Sequence, residues 1–294
     1  MDLKVNNTEG YDHPHLKHQK RYHVALSIAG SDSSGGAGIQ ADLKTFSALG
    51  VYGATAITAI TAQNTYGVNS QFALPAKMVY DQIVAVMEDL SPSVVKIGML
   101  SNVEITNAVA DVLSEYQCSI ILDPVMVSSS GHRLLSREAQ EAIIQRLLPV
   151  AQLVTPNIPE MKALTNMPLE SSIERRAAAE HLISLGARAV LLKGGHDSGD
   201  IKTDVLYRQT PTGLDISYFS MPTITTNNIH GTGCTLSSAI AAYVARGYEL
   251  EEAVYEAKRY VHEAIKAGAD VTNGGGYGSV NHLFNPQKMH IYEE

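Results

Sequence analysis

His23-Val-Ala-Leu-Ser-Ile-Ala-Gly30-Ser-Asp-Ser-Ser-Gly-Gly-Ala-Gly38-Ile-Gln-Ala-Asp-Leu-Lys-Thr-Phe-Ser-Ala-Leu-Gly50 sets three local patterns end to end. His23–Ala29 is a short β-type run stopped by Gly30. The Gly- and Ser-rich stretch 30–38 reads as a loop. Ile39–Leu49 then reads as a helix, halted by Gly50. Strand, glycine loop and helix together open a βα unit. The fold depends on whether the rest of the chain repeats it.

It does. Ala54–Thr61 reads as a strand, Val79–Leu90 as a helix, and Val94–Ile97 as a strand closed by Gly98. Val103–Tyr116 is helical, and Ser119–Leu122 runs as a strand into Asp123-Pro124. Arg137–Leu148 is helical, and Leu153-Val154 ends a strand at Thr155-Pro156. Ile173–Leu185 is a helix, and Ala189–Leu192 a strand ending at Lys193-Gly-Gly. Runs near Thr203–Tyr207 and Leu214–Phe219 have no helix between them and suggest an edge hairpin. Helices Thr232–Ala245 and Leu250–Ala267 close the pattern. The second carries an apolar stripe through Ala253, Val254, Ala257, Val261 and Ala264, which marks core contact. Such alternation predicts an α/β fold with a mostly parallel central sheet and helices on both faces. Ligands of such sheets bind beyond the carboxyl ends of the strands. The polar residues Ser31-Asp32, Gln63-Asn64, Asp123, Asn157 and Lys193 all fall there.

The 294 residues contain no linker-like tract, so residues 23–294 are read as a single domain. Residues 1–22 are expected to be a disordered extension; His13, His15 and His18 are not taken as a metal-binding tail. A hydrophobic content of 45% suits a large core. A net charge of −8 speaks against nucleic-acid and anionic-membrane partners. Residues 45–76 carry no charge, yet their Thr, Gln, Asn and Gly content and Pro75 read as a buried strand with polar pocket residues, not a membrane span. Two distant cysteines, Cys118 and Cys234, make neither a disulfide framework nor a metal pair, which points to the cytoplasm. A small-molecule substrate is the expected partner, with a homodimer left open.

The sharpest local motif is Asn227-Asn-Ile-His-Gly231-Thr-Gly233-Cys234. A Gly-Thr-Gly turn opening an apolar helix gathers backbone N–H groups and the positive end of the dipole, as a phosphate requires. Cys234 in the first turn is expected to have a lowered thiol pKa. No Gly-Lys dipeptide exists, which excludes a Walker-type P-loop. Gly36-Ala-Gly38-Ile-Gln-Ala41 fits a dinucleotide fingerprint, but after Asp42 the next acidic residue is Asp81, so the ribose-binding acid is missing. Judged singly, Asp123 reads as a cap for its loop, and His196 and His230 as loop hydrogen-bonding residues.

The segments 29–46, Thr61-Ala-Gln-Asn-Thr, Lys96-Ile-Gly-Met-Leu, Thr155-Pro-Asn-Ile-Pro-Glu160, Leu192-Lys-Gly-Gly-His196 and Gly231-Thr-Gly-Cys234 together resemble the hydroxymethylpyrimidine and phosphomethylpyrimidine kinases of the ribokinase-like superfamily. The resemblance spans roughly residues 23–270 and leaves out the tail after Thr272. It implies a ribokinase-like fold and ATP- and Mg²⁺-dependent phosphorylation of 4-amino-5-hydroxymethyl-2-methylpyrimidine and of its monophosphate, in thiamine biosynthesis. It places Asp42 and Gln63 beside the pyrimidine, with Gly30, Ala37 and Met99 as pocket wall. It assigns Asn157 and Glu160 to phosphates and metal and Gly231, Thr232 and Gly233 to the anion hole, with Cys234 standing where the superfamily's catalytic base stands; ATP is expected along the strand ends near Glu160, Asn157 and Lys193. Most sugar kinases of the superfamily carry Asp at that last position, so Cys234 turns the expectation away from sugars. Pyridoxal kinase activity stays open as an alternative, as does a catalytically idle binding protein.

Overall fold

The computed structural model describes residues 20–126, 135–195 and 199–293. His196 and residues 1–19 of the expected extension lie outside them. In chain order the elements are β1 (Lys20–Tyr22), β2 (Val24–Asp32), α1 (Gly38–Ala48), β3 (Tyr52–Asn64), β4 (Gly67–Ala73), α2 (Ala76–Asp89), β5 (Val94–Ile97) and α3 (Val103–Leu113). There follow β6 (Ser119–Leu122), α4 (Arg137–Ala142, continued by irregular turns to Val150), β7 (Leu153–Val154), α5 (Ile158–Thr165) and α6 (Ser172–Ser184). The chain continues through β8 (Ala189–Leu192), β9 (Ile201–Thr210), β10 (Gly213–Pro222), α7 (Thr232–Ala245), α8 (Leu250–Gly268) and β11 (Ile291–Glu293).

Nine strands form one sheet in the order β10-β9-β8-β7-β6-β5-β2-β3-β4. The six from β8 to β3 run parallel. β4 at one edge and the β9–β10 hairpin at the other are antiparallel. The expected mostly parallel sheet is therefore present, and so is the edge hairpin.

Alternation along the strands sends side chains to two cores. Leu26, Ile28, Ile97 and Leu122 pack under α2–α6, whereas Ala25, Val94, Ile121 and Leu191 pack under α1, α7 and α8. Helices cover both faces, which is what continuous apolar parallel strands require. The stripe on α8 is buried as core.

Four elements, β1, β11, β4 and α5, are absent from the sequence reading. β1 claims residues 20–22 of the expected extension and pairs antiparallel with β11, Lys20 opposite Glu293. β4 lies within the uncharged stretch, where alternation is too weak to separate it from β3. Helix α5 went unread, although its start carries a capping-box spacing. Among the described residues no helix is long and apolar enough to cross a membrane.

Candidate active site

The carboxyl ends of β2, β3, β5, β6, β7 and β8 all open toward the start of α7. At the end of β2, the glycine loop does not present its amides outward. The Asp32 carboxylate accepts the backbone N–H of Ser34 (2.8 Å), Gly36 (3.1 Å) and Ala37 (2.8 Å) and the Ser34 hydroxyl (2.7 Å). His230 Nε2 lies 2.8 Å from the same carboxylate. Although burial pulls its pKa upward, these partners hold Asp32 down at about 2. An internal anion thus fills the position a nucleotide phosphate would take in a dinucleotide loop, which gives the rejection of that motif a structural cause.

Gly231 begins α7 at φ +82°, and a Cβ there would collide with the Gly36 carbonyl. Only glycine lets the two loops touch. The turn Gly231-Thr232-Gly233 leads into Cys234, which is half-buried. The expected lowering of its thiol does not occur. Burial pushes Cys234 up to about 11, and repulsion from Asp42 and Asp123 adds to that push against the pull of Lys96. Desolvation outweighs the helix start.

Behind this turn, two serines of α7 grip two buried ion pairs. Ser237 Oγ donates to Asp123 (3.2 Å) and Ser238 Oγ to Asp42 (2.6 Å). Asp123 at the end of β6 also takes Lys193 Nζ (2.8 Å) and the Thr155 hydroxyl (3.0 Å). Against the upward push of burial, Lys193 and Lys96 keep Asp123 ionised. Lys193 Nζ stands 3.5 Å from Glu160 Oε2. Glu160 titrates higher than usual, raised by burial and by Asp123 against the pull of Lys193. Reading Asp123 as a loop cap missed this cluster; its signal was an Asp at a strand's carboxyl end beside Lys193.

Asn157 and Glu160 form a reciprocal capping box on α5. The Glu160 N–H donates to Asn157 Oδ1, and the Asn157 N–H donates to Glu160 Oε2, both at 2.8 Å. Their spacing is therefore fully explained by a helix start, and any ligand role is additional to it. No cluster of three or more His, Cys, Asp or Glu that could hold a metal occurs among the described residues. The donors fit Mg²⁺ nonetheless, because that ion takes one or two carboxylates and completes its shell with phosphates and water.

Asp42 is a correction. Expected beside a pyrimidine, it is fully buried, and its oxygens are taken by Lys96 (2.8 and 2.9 Å), Ser27 (2.5 Å) and Ser238. It has no oxygen to offer a ligand. Met99 and Ala59 instead form a small apolar cluster with Val68 and Val125, separate from both main cores. A Cβ on Gly30 would lie 3.1 Å from the Met99 sulfur, so these two do adjoin. Gln63, half-buried at the end of β3, places its Nε2 at 3.3 Å from His230 Nε2. Ala37 contributes through its backbone N–H to Asp32. A separate concavity of about 450 Å³ between β10 and α8 is lined by Glu249, Glu251 and Glu252, carboxylates that would repel a polyphosphate.

A family model described as phosphomethylpyrimidine kinase matches residues 32–281. The match carries the likeness past Thr272, into the tail that the motifs left out. A hydroxymethylpyrimidine/phosphomethylpyrimidine kinase of Rhizobium meliloti is 50% identical over 261 residues, covering 88% of this chain and 97% of that protein. Among solved structures, a phosphomethylpyrimidine kinase from Clostridium difficile is 46% identical, with a TM-score of 0.72, over 82% of this chain and 99% of its own. A pyridoxal kinase from Staphylococcus aureus in complex with AMP-PCP and pyridoxal is 33% identical, with a TM-score of 0.79, over 92% and 97%.

Proposed function

Because the chain belongs to the phosphomethylpyrimidine kinase family, we propose that it transfers the γ-phosphoryl group of ATP to the hydroxymethyl oxygen of 4-amino-5-hydroxymethyl-2-methylpyrimidine. A second transfer, to the resulting monophosphate, gives the diphosphate for thiamine biosynthesis. The observation that carries this reading is the meeting of the Gly231–Cys234 turn with Lys193, Asp123 and Glu160. A Cβ on Gly233 would sit 3.5 Å from Lys193 Nζ and 3.9 Å from Asp123 Oδ2. Backbone donors, a cation and carboxylates thus surround one point.

Phosphoryl transfer asks mainly for positioning and charge stabilisation. The amides at Gly231, Thr232 and Gly233 and the α7 dipole would hold the transferring phosphoryl, and Lys193 would balance charge moving toward ADP. Glu160, with Asn157, is the proposed Mg²⁺ and phosphate side; the metal held there would supply neutralisation of phosphate charge. Gln63, Met99, Gly30 and the Ala37 loop would wall the acceptor. Cys234 would take the hydroxyl proton as a thiolate, so turnover should follow the ionised fraction of a thiol held near 11.

We also propose a cytoplasmic enzyme of one domain, and a homodimer through Ile60 and Phe72, an exposed cross-strand pair on the edge hairpin β3–β4. Pyridoxal is the second acceptor to weigh, because the pyridoxal kinase shares the fold at a higher TM-score. Fold alone does not set the substrate, however, and identity favours the pyrimidine kinases. A coupled ADP-release assay with hydroxymethylpyrimidine, its monophosphate and pyridoxal decides between them. Both pyrimidines should be phosphorylated, with kcat/KM above that for pyridoxal. The reverse order would overturn the assignment.

A further inference from the structure

The tail Gly274-Gly-Gly-Tyr-Gly-Ser279 follows α8 and returns to the proposed site. At one end it meets the turn between β3 and β4. There the Gly276 N–H donates to Thr65 Oγ1 (3.1 Å) and the Tyr277 N–H to the Thr65 carbonyl (2.8 Å). At the other end the His230 N–H donates to the Gly278 carbonyl (3.0 Å), and His230 bridges to Ser279. The run of glycines has a steric cause. A Cβ on Gly274 or Gly276 would strike Thr65, one on Gly275 the Tyr66 hydroxyl, and one on Gly278 the Asn228 side chain. The requirement is strictest at Gly276, where the Cβ would meet the Thr65 carbonyl, and at Gly274, whose φ is +84°.

These two anchor points flank the site. Thr65 lies two residues after Gln63, and His230 directly precedes Gly231. β4 is an edge strand, and a two-stranded edge hairpin holds its tip poorly by itself. The Ser33 hydroxyl holds the Gln63 backbone, donating to its carbonyl (2.7 Å) and accepting its N–H (2.8 Å), and the tail adds a second restraint at Thr65 across a sequence separation of more than two hundred residues.

We propose that Thr65 is a positioning residue: through the 274–279 strap it fixes the tip that carries Gln63, and so sets the affinity for the acceptor but not for ATP. This rests on the reading of Gln63 as acceptor wall. The ATP-side groups Lys193, Asn157 and Glu160 sit on β8 and α5, which the strap does not touch at Thr65.

The test measures KM for acceptor and for ATP, with kcat, in Thr65→Ala, Thr65→Ser and Gln63→Ala. Thr65→Ala should raise the acceptor KM about tenfold, the worth of one well-placed hydrogen bond, and leave the KM for ATP and kcat within about twofold. Thr65→Ser, which keeps the hydroxyl, should recover most of that loss. An unchanged acceptor KM in Thr65→Ala, or an equal rise for ATP, overturns the proposal. If Gln63→Ala raises the acceptor KM while Thr65→Ala does not, the strap fails alone. If only Thr65→Ala raises it, the role given to Gln63 fails, and with it the route by which Thr65 is proposed to act.

Discussion

Two lysine–carboxylate pairs lie beneath α7 and look alike in one dimension, yet they are built for different ends. Lys96 and Asp42 are both wholly excluded from solvent, and Asp42 receives further bonds from Ser27 and Ser238. Lys193 keeps about a tenth of its side chain exposed and divides its charge between Asp123 and Glu160. In the first pair every charge is spoken for. In the second a single cation faces two carboxylates, the arrangement proposed above to leave negative charge for a metal and a cation for a phosphate. A buried ion pair is therefore not by itself a sign of function; the mismatch in its count of partners is.

The sharpest way to break the comparison is to remove each lysine. Lys96→Met leaves Asp42 charged in the core and should cost about 3–5 kcal/mol of stability, read as a fall in chemical-denaturation midpoint. Adding Asp42→Asn should restore much of it, because the penalty comes from the unpaired charge. Lys193→Met should instead lower turnover about 10²–10³-fold, as loss of a preorganised transition-state donor does, with a smaller fall in midpoint than Lys96→Met. If Lys193→Met loses stability and keeps its turnover, the two pairs have been assigned the wrong way round.

A smaller effect sharpens the same contrast at Cys234, which feels both pairs. Its thiol is raised, so the thiolate is scarce at neutral pH and grows as pH rises toward 11. In a Cys118→Ser background, alkylation by iodoacetamide should accelerate about tenfold per pH unit from 7 to 9, the slope of a group well below its pKa. A rate already level at pH 7 would mean that the helix start prevails over burial after all.

The fold was legible because period and punctuation agree along most of the chain: strand, glycine, helix, stop. Helix α5 escaped because eight residues give a short apolar period, although Asn157 and Glu160 carried a capping signal. β1 and β11 are three residues each and gain their identity only from one another. The Gly231–Cys234 turn was visible as a motif, since a glycine turn before an apolar helix has few other uses. The partners of Asp42 and Asp123 were not visible. Both are lone acidic residues in sequence, and only the fold shows that each is buried under a serine of α7, with Lys96 given wholly to Asp42 and Lys193 shared between Asp123 and Glu160. The thiol shift was missed for a related reason: dipole position can be read from sequence, whereas depth of burial cannot.

The carboxylate of Asp32 carries a consequence for the thermodynamics of recognition. Its loop is closed by an anion that belongs to the chain, so the loop is ordered during folding and does not wait for a substrate to organise it. The Gly36 carbonyl already rests against Gly231, so the turn proposed as the anion hole would have one rigid wall before any phosphate arrives. Ligand binding is then spared the conformational entropy of ordering that wall, a gain of preorganisation that adds affinity without adding a contact.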